Sequence, residues 1–314
     1  AELLQDAEFS PAIAKSMGDR LERLYKFASE VTKAQRKGKV SEKSLKAIDR
    51  WMLSRLQEHV RKATEAMDKL AVRKAIHSTL YELDQDFQWY QRRIKDQKES
   101  PKRKSGIAYV FSQVLDAQVR MLAPVAPHMC EELWEMTGGK SFVSLVSWPM
   151  SDEEKTDVVA EGNEALITHL LDDTLNIVRA TGTKPKKIYY YTAASWKWKA
   201  YSKTLRKSVS AKIVQKDLMK ELMEDPALRQ KAEKLAKFTG QIVDEANQMS
   251  EEQKSKQLQI EFVNEGQTLK EAKDFFEREL NAEVHVYEEE DPERYDPKAR
   301  AVLAKPYRPA IFIE

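Results

Sequence analysis

Apolar side chains between residues 41 and 94 recur at three- and four-residue steps, first at Leu45, Ile48, Met52, Leu56, Val60, Ala63 and Met67, then at Val72, Ile76, Leu80, Leu83, Phe87, Tyr90 and Ile94. Two stripes at helical period, separated by Lys, Arg, Glu, Asp and Gln, predict a helical hairpin with one buried face on each arm. Such a hairpin needs further helices to cover it. Pro11 and the run Leu21, Leu24, Tyr25, Ala28 and Val31 predict a helix before it, ending ahead of Gly38, and Ser41 is placed to cap the first arm. Beyond the hairpin, the basic stretch from Arg92 to Lys104, punctuated by Pro101 and Gly106, reads as an exposed loop. Ile107, Val110, Phe111, Val114, Gln118 and Met121 predict another helix that Pro124 stops. Pro127 then suits the first position of a short helix over 128–137, and Gly138 its C-terminal cap.

The pattern changes after Pro149. Residues 151–157 read as an acidic linker, and Ala165, Leu166, Leu170, Ile177 and Val178 suggest a helix after it. Strands are expected at 187–192, 282–287 and 310–313, with helices over 195–209, 211–223, 227–249 and 268–280. The fold class expected is therefore mainly α: a helical bundle over 1–149, a linker over 150–160, and a small α/β (α+β) domain over 161–314. Strand order is left open by the pattern.

Composition adds little until charge is resolved locally. The 314 residues are 41% hydrophobic and 33% charged, enough for a real core, and the formal charge is only +2. A single cysteine, Cys130, excludes an internal disulfide, and with five scattered histidines it offers no zinc-like spacing, so no metal site is expected and a reducing, cytoplasmic compartment fits. The acidic start and the lack of a long apolar run argue against a signal peptide or a membrane partner. Residues 186–237, however, hold fourteen Lys or Arg against five Asp or Glu, which favours a phosphate-rich partner.

Within that stretch aromatics and cations interleave, as RNA stacking and phosphate contact require. Trp198, Tyr201, Leu205 and Val209 follow a helical stripe and read as core, leaving Trp196, Lys197, Lys199, Arg206 and Lys207 as RNA-binding candidates. Arg92, Arg93 and Lys95 in the basic loop are candidates of the same kind, balanced against a merely solvated connection. His128 and Cys130 read as a core pair rather than a base and nucleophile, and Glu288 to Asp291 as a solvated turn. No glycine spacing forms a phosphate cradle. The stretch from Ala310 to Glu314 is an apolar strand with an acidic end. Its carboxylate repels phosphate, so Ile313 and Glu314 are candidates for hydrogen bonding to unpaired base edges, with simple completion of a sheet an equal alternative.

Several segments carry a family resemblance. Leu122-Ala-Pro-Val-Ala-Pro-His-Met-Cys-Glu-Glu-Leu-Trp134 followed by Ser144-Leu-Val-Ser-Trp-Pro149 resembles the end of the anticodon-binding helical domain of class I aminoacyl-tRNA synthetases. Asp49-Arg-Trp-Met-Leu-Ser-Arg-Leu56 and Phe87-Gln-Trp-Tyr90 fit the same family, in the order typical of its isoleucyl, leucyl and valyl subgroup. The second half is similar to the C-terminal domain of archaeal and eukaryotic-type leucyl-tRNA synthetases, with the isoleucyl enzymes and a non-enzymatic interaction scaffold as alternatives. The family's His-x-Gly-His and Lys-Met-Ser-Lys-Ser signatures do not occur in the chain. The resemblance thus implies a monomeric tRNA-binding portion that positions tRNA(Leu) through its elbow and long variable arm. It implies no cofactor in this chain, with ATP and Mg used by an N-terminal catalytic portion as its partner.

Overall fold

The computed structural model describes residues 9–35, 45–95, 100–210, 212–260 and 263–314. The helix end expected before Gly38 and the Ser41 cap lie outside them. The chain forms two compact units, 1–160 and 161–314.

In the first unit, α1 (Pro11–Gln35), α2 (Ala47–Asp68), α3 (Val72–His77), α4 (Leu83–Arg93), α5 (Pro101–Leu122) and α6 (Pro127–Met136) follow in order. Ile48, Met52, Leu56, Val60 and Ala63 of α2 meet Leu83, Phe87, Tyr90 and Ile94 of the second hairpin arm, with Ile107, Val110 and Val114 of α5 closing this core. Leu24, Ala28 and Val31 of α1 form a second core with Leu115 and Val119 of α5 and Cys130 and Leu133 of α6. The second hairpin arm is not uniformly α-helical. A π-helical segment at Ser78–Glu82 joins α3 to α4, and its wider turn rotates the buried face. Ser78, Thr79 and Leu80 are buried there, while Val72 and Ile76 are only half-buried.

Two expected boundaries move. Ser100 Oγ accepts from Arg103 N at 3.1 Å and Pro101 occupies the first helical turn, so Lys102, Arg103 and Lys104 belong to α5 rather than to an exposed loop. The acidic linker is in fact a strap on α2: Asp152 N donates to Gln57 Oε1 at 2.8 Å, Asp157 N to Ser54 Oγ at 3.0 Å, and Arg50 Nε to Asp157 Oδ2 at 2.9 Å. Gly138, at φ 89°, ends α6 in the left-handed region as expected.

The second unit holds α7 (Val158–Thr181), which begins in the strap, then β1 (Lys187–Thr192), α8 (Ser195–Ser210), α9 (Gln215–Leu222), α10 (Pro226–Arg229), α11 (Ala232–Gln248), α12 (Glu251–Ile260), α13 (Glu265–Glu271), α14 (Lys273–Leu280), β2 (Glu283–Glu288) and β3 (Ala310–Ile313). The sheet order is β2-β1-β3, with β1 parallel to β2 and antiparallel to β3. Helix α12 escaped the pattern because its segment is almost wholly polar and buries only Lys254 and Ile260. Lys254 is held by donation to Ser208 O at 3.0 Å.

Candidate nucleic-acid interface

The basic end of the hairpin is built on a buried carboxylate. Asp49 of α2 is fully buried. Its Oδ1 accepts from Tyr90 Oη at 2.6 Å and from Arg103 Nη2 at 2.9 Å, while Oδ2 accepts from Lys46 N at 2.7 Å and from Arg103 Nη1. Burial, and then the Asp49 charge, hold the Tyr90 hydroxyl well above its ordinary range. This cluster fastens α2, α4 and the first turn of α5 together. Around it Arg92, Lys95, Lys102 and Lys104 are exposed, and the Arg92 guanidinium lies 5.5 Å from the Trp89 ring centre. Arg93, by contrast, is only 7% exposed. It faces the interior beside Ile94, which removes it as a surface contact for RNA.

Helix α8 divides its candidates in the same way. Lys199, Arg206 and Lys207 lie on the exposed face, where Lys199 is 3.9 Å from Asp225 and Lys207 2.7 Å from Glu221. Such exposed pairs are weak and leave the cations available. Trp196 and Lys197 are corrections. Trp196 is 6% exposed and packs edge-on against Phe238 at 5.5 Å, so its faces cannot stack on a base. Lys197 is 4% exposed; its Nζ donates to Val302 O at 2.8 Å and Ala304 O at 2.6 Å and pairs with Glu289 at 2.8 Å. Burial pushes this lysine down and Glu289 partly opposes it. Both residues sit in the first turn of α8, directly beyond β1, where the 289–304 segment covers Lys197 and α11 covers Trp196 through Phe238. Glu289 is correspondingly buried, not part of a solvated turn. Trp198, Tyr201 and Leu205 are core as expected, while Val209 is 45% exposed.

The tail is a sheet strand. Ile313 pairs with Ile188 and is half-buried. Glu314 N donates to Lys187 O at 2.8 Å, and Glu314 O accepts from Lys186 N at 2.7 Å and Lys187 N at 2.9 Å. The main chain expected to read base edges is thus used by the ladder, and only the exposed Glu314 carboxylate, 3.4 Å from Tyr189 Oη, remains outward.

His128 is exposed whereas Cys130 is buried, so the two are not a core pair. Burial pushes the Cys130 thiol up to about 12, which leaves it unreactive. A serine–histidine–carboxylate arrangement that the sequence did not suggest lies at the π-helical turn, with His59 Nδ1 3.3 Å from Ser78 Oγ and His59 Nε2 2.8 Å from Asp86 Oδ2. His59 is 0% and Ser78 3% exposed, so no substrate reaches them. Burial raises Asp86, but hydrogen bonds from His59 and Arg55 outweigh it and hold the carboxyl below its usual range. The cluster is a polar fastening between α2 and the second hairpin arm. Among the described residues no group of three His, Cys, Asp or Glu side chains is placed to hold a metal, and no helix is long and apolar enough to cross a membrane.

Residues 49–189 match the family described as the anticodon-binding domain of tRNA ligase. That defines the class of the helical unit. Over all 314 residues the chain is 36% identical to the leucine–tRNA ligase of Methanosarcina mazei, of which it covers 31%. Over 296 residues, 94% of the chain, it is 34% identical to that of Pyrococcus horikoshii, covering 28% of it. Residues 49–189 are thus an anticodon-binding domain of the tRNA ligase type, and the chain as a whole is similar to archaeal leucyl-tRNA synthetases, spanning about a third of the length of these relatives. A LeuRS-tRNA-LeuAMS complex from Agrobacterium radiobacter K84 is a remote likeness, with TM-score 0.39 and 16% identity over 72% of this chain and 23% of that one.

Proposed function

We propose that this chain is the tRNA-holding segment of a leucine–tRNA ligase and positions tRNA(Leu) for leucylation by a catalytic portion outside the sequence. Similarity to an archaeal leucine–tRNA ligase over the whole of this chain, at 36% identity, supports the reading. Two groups of exposed cations support it, Arg92, Lys95, Lys102 and Lys104 in the helical unit and Lys199, Arg206 and Lys207 on α8. Each cation that neutralises a phosphate releases condensed counterions. In the complete enzyme the catalytic portion would use ATP and Mg, and this chain would contribute binding rather than bond making, as part of a cytoplasmic monomer.

Binding of a tRNA(Leu) transcript to the chain, measured across a salt series, tests this. Affinity is expected to fall linearly on a log–log plot, and charge reversal at Lys199, Arg206 and Lys207 to lower the slope by about one unit for each phosphate that is no longer neutralised. Leucine-dependent exchange of pyrophosphate into ATP is expected to be absent. Leucine-dependent exchange by the pure chain, or no tRNA binding at low salt, overturns the reading; the second outcome favours a protein scaffold.

A further inference from the structure

The register of the small sheet sorts its side chains sharply. Ile188 and Tyr190 of β1 align with Val284 and Val286 of β2 and with Ile313 and Ile311 of β3. This face is covered by helices: Tyr190 Oη lies 3.0 Å from Thr174 Oγ1 of α7, and its ring is 5.2 Å from Phe276 of α14. Alternation puts Tyr189, Tyr191, His285, Tyr287, Ala310 and Phe312 on the other face. There the cover is the 289–304 segment, which reaches Tyr191 through Tyr295 O at 2.5 Å and places Ala301 and Ala304 against Tyr189 and Tyr191.

On that second face the rings form a continuous stack across the strands. His285 lies 5.0 Å from Tyr189 with the planes 14° apart, Phe312 is 5.7 Å from the other side of the row, and Tyr295 leans on Tyr189 at 5.0 Å. His285 and Tyr287 are nearly coplanar in orientation, 11° apart at 6.3 Å. The row is not sealed. Tyr295 is 44% exposed and the His285 side chain 27%, with Tyr287 and Phe312 half-buried. Because β2 is an edge strand, the row ends at His285 on the border of the sheet.

Charge is polarised along the same sheet. Lys184, Lys186 and Lys187 are exposed at the start of β1, held at this end by the bonds from Lys186 N and Lys187 N to Glu314 O. The carboxylates nearby are engaged, Glu283 by His285 Nε2 at 3.0 Å along the edge of that ring and by Lys187 at 3.7 Å, and Glu314 by the Tyr189 hydroxyl. The acidic run Glu288 to Asp291 lies at the opposite end, past the C-terminus of β2.

We propose that this aromatic face, with His285 and Tyr295 at its open border and Lys184, Lys186 and Lys187 beside it, stacks unpaired bases of the RNA that the chain binds. The proposal rests on the RNA-binding reading above and adds to it a stacking site and the kind of nucleotide it takes. Stacking on aromatic rings is tolerant of base identity, and the adjacent lysines supply the phosphate contact that a splayed strand needs. An apolar protein segment would gain nothing from the lysines.

The test compares a single-stranded oligoribonucleotide with an abasic oligomer of the same length, by fluorescence anisotropy at fixed salt, for the intact chain and its variants. The chain is expected to prefer the base-containing oligomer. His285→Ala and Tyr295→Ala should each weaken that binding about tenfold, leave the abasic oligomer and the salt slope unchanged, and His285→Tyr should restore it. Equal affinity of the unaltered chain for both oligomers overturns the stacking site while leaving the RNA-binding reading in place. So does a His285→Ala variant that binds as before, or one that loses both oligomers together with melting temperature and is not rescued by His285→Tyr. Failure of the unaltered chain to bind either oligomer or tRNA overturns both readings.

Discussion

Glu265 accepts from Ala193 N at 3.1 Å and Tyr307 N at 2.6 Å at only 2% exposure. Burial nevertheless raises its carboxyl from 4.5 to about 7, the hydrogen bonds opposing. A raised carboxyl binds its proton more tightly folded than unfolded, so its stabilising contribution is complete below about 4.5 and is lost as pH rises through about 7. The difference is on the order of 3 kcal/mol. The melting temperature of the wild-type chain relative to Glu265→Gln should therefore decline from pH 4.5 to pH 7; a difference that stays flat or rises counts against it. Trp196 and Lys197 teach a related lesson at this scale. Their residue types fit RNA contact, but Lys197 lies under a segment more than a hundred residues away in sequence, as its bonds to Val302 and Ala304 record, and Trp196 lies against Phe238 of α11. Periodicity within one helix carries no information about that cover.

Asp49 shows how elements are joined. It and Tyr90 lie in two of the segments that carried the family resemblance, and they turn out to fasten α2 to α4 and, through Arg103, to α5. Arg103→Ala would leave a buried carboxylate without its counter-charge, a change expected to cost about 3–5 kcal/mol in denaturant unfolding. Tyr90→Phe, which removes one hydrogen bond, should cost about 1–3 kcal/mol. Comparable losses in the two variants would show that Asp49 is neutralised some other way. Reading Lys102 to Lys104 as loop missed this fastening, since the Ser100 cap that starts α5 there is one hydroxyl in a run of polar residues. The π-helical turn at Ser78–Glu82 was also hidden, because half-buried Val72 and Ile76 still fall on an apparently regular stripe.

At the scale of the molecule, each unit has its own core: Met52, Leu83, Val110 and their neighbours in one, and Ile213, Leu218, Leu235 and Ile242 with α8 in the other. A chain beginning at Val158, where α7 starts, is accordingly expected to unfold in a single cooperative denaturant transition, and a gradual loss of circular dichroism would refute it. Helical period, proline and glycine stops and β-branched runs were enough to place α1, α2, α5, α6, α8 and the three strands, because those signals act within a turn or a few residues of their effect. The family, too, was legible in short contiguous segments. Tertiary structure alone decided the order β2-β1-β3, the burial of Arg93, Trp196 and Lys197, the engagement of the Glu314 main chain in the ladder, and the gathering of Tyr189, His285, Tyr295 and Phe312 on one face. Each of these depends on which distant segment packs above a residue, and burial by a distant segment leaves no period in the residues that it covers.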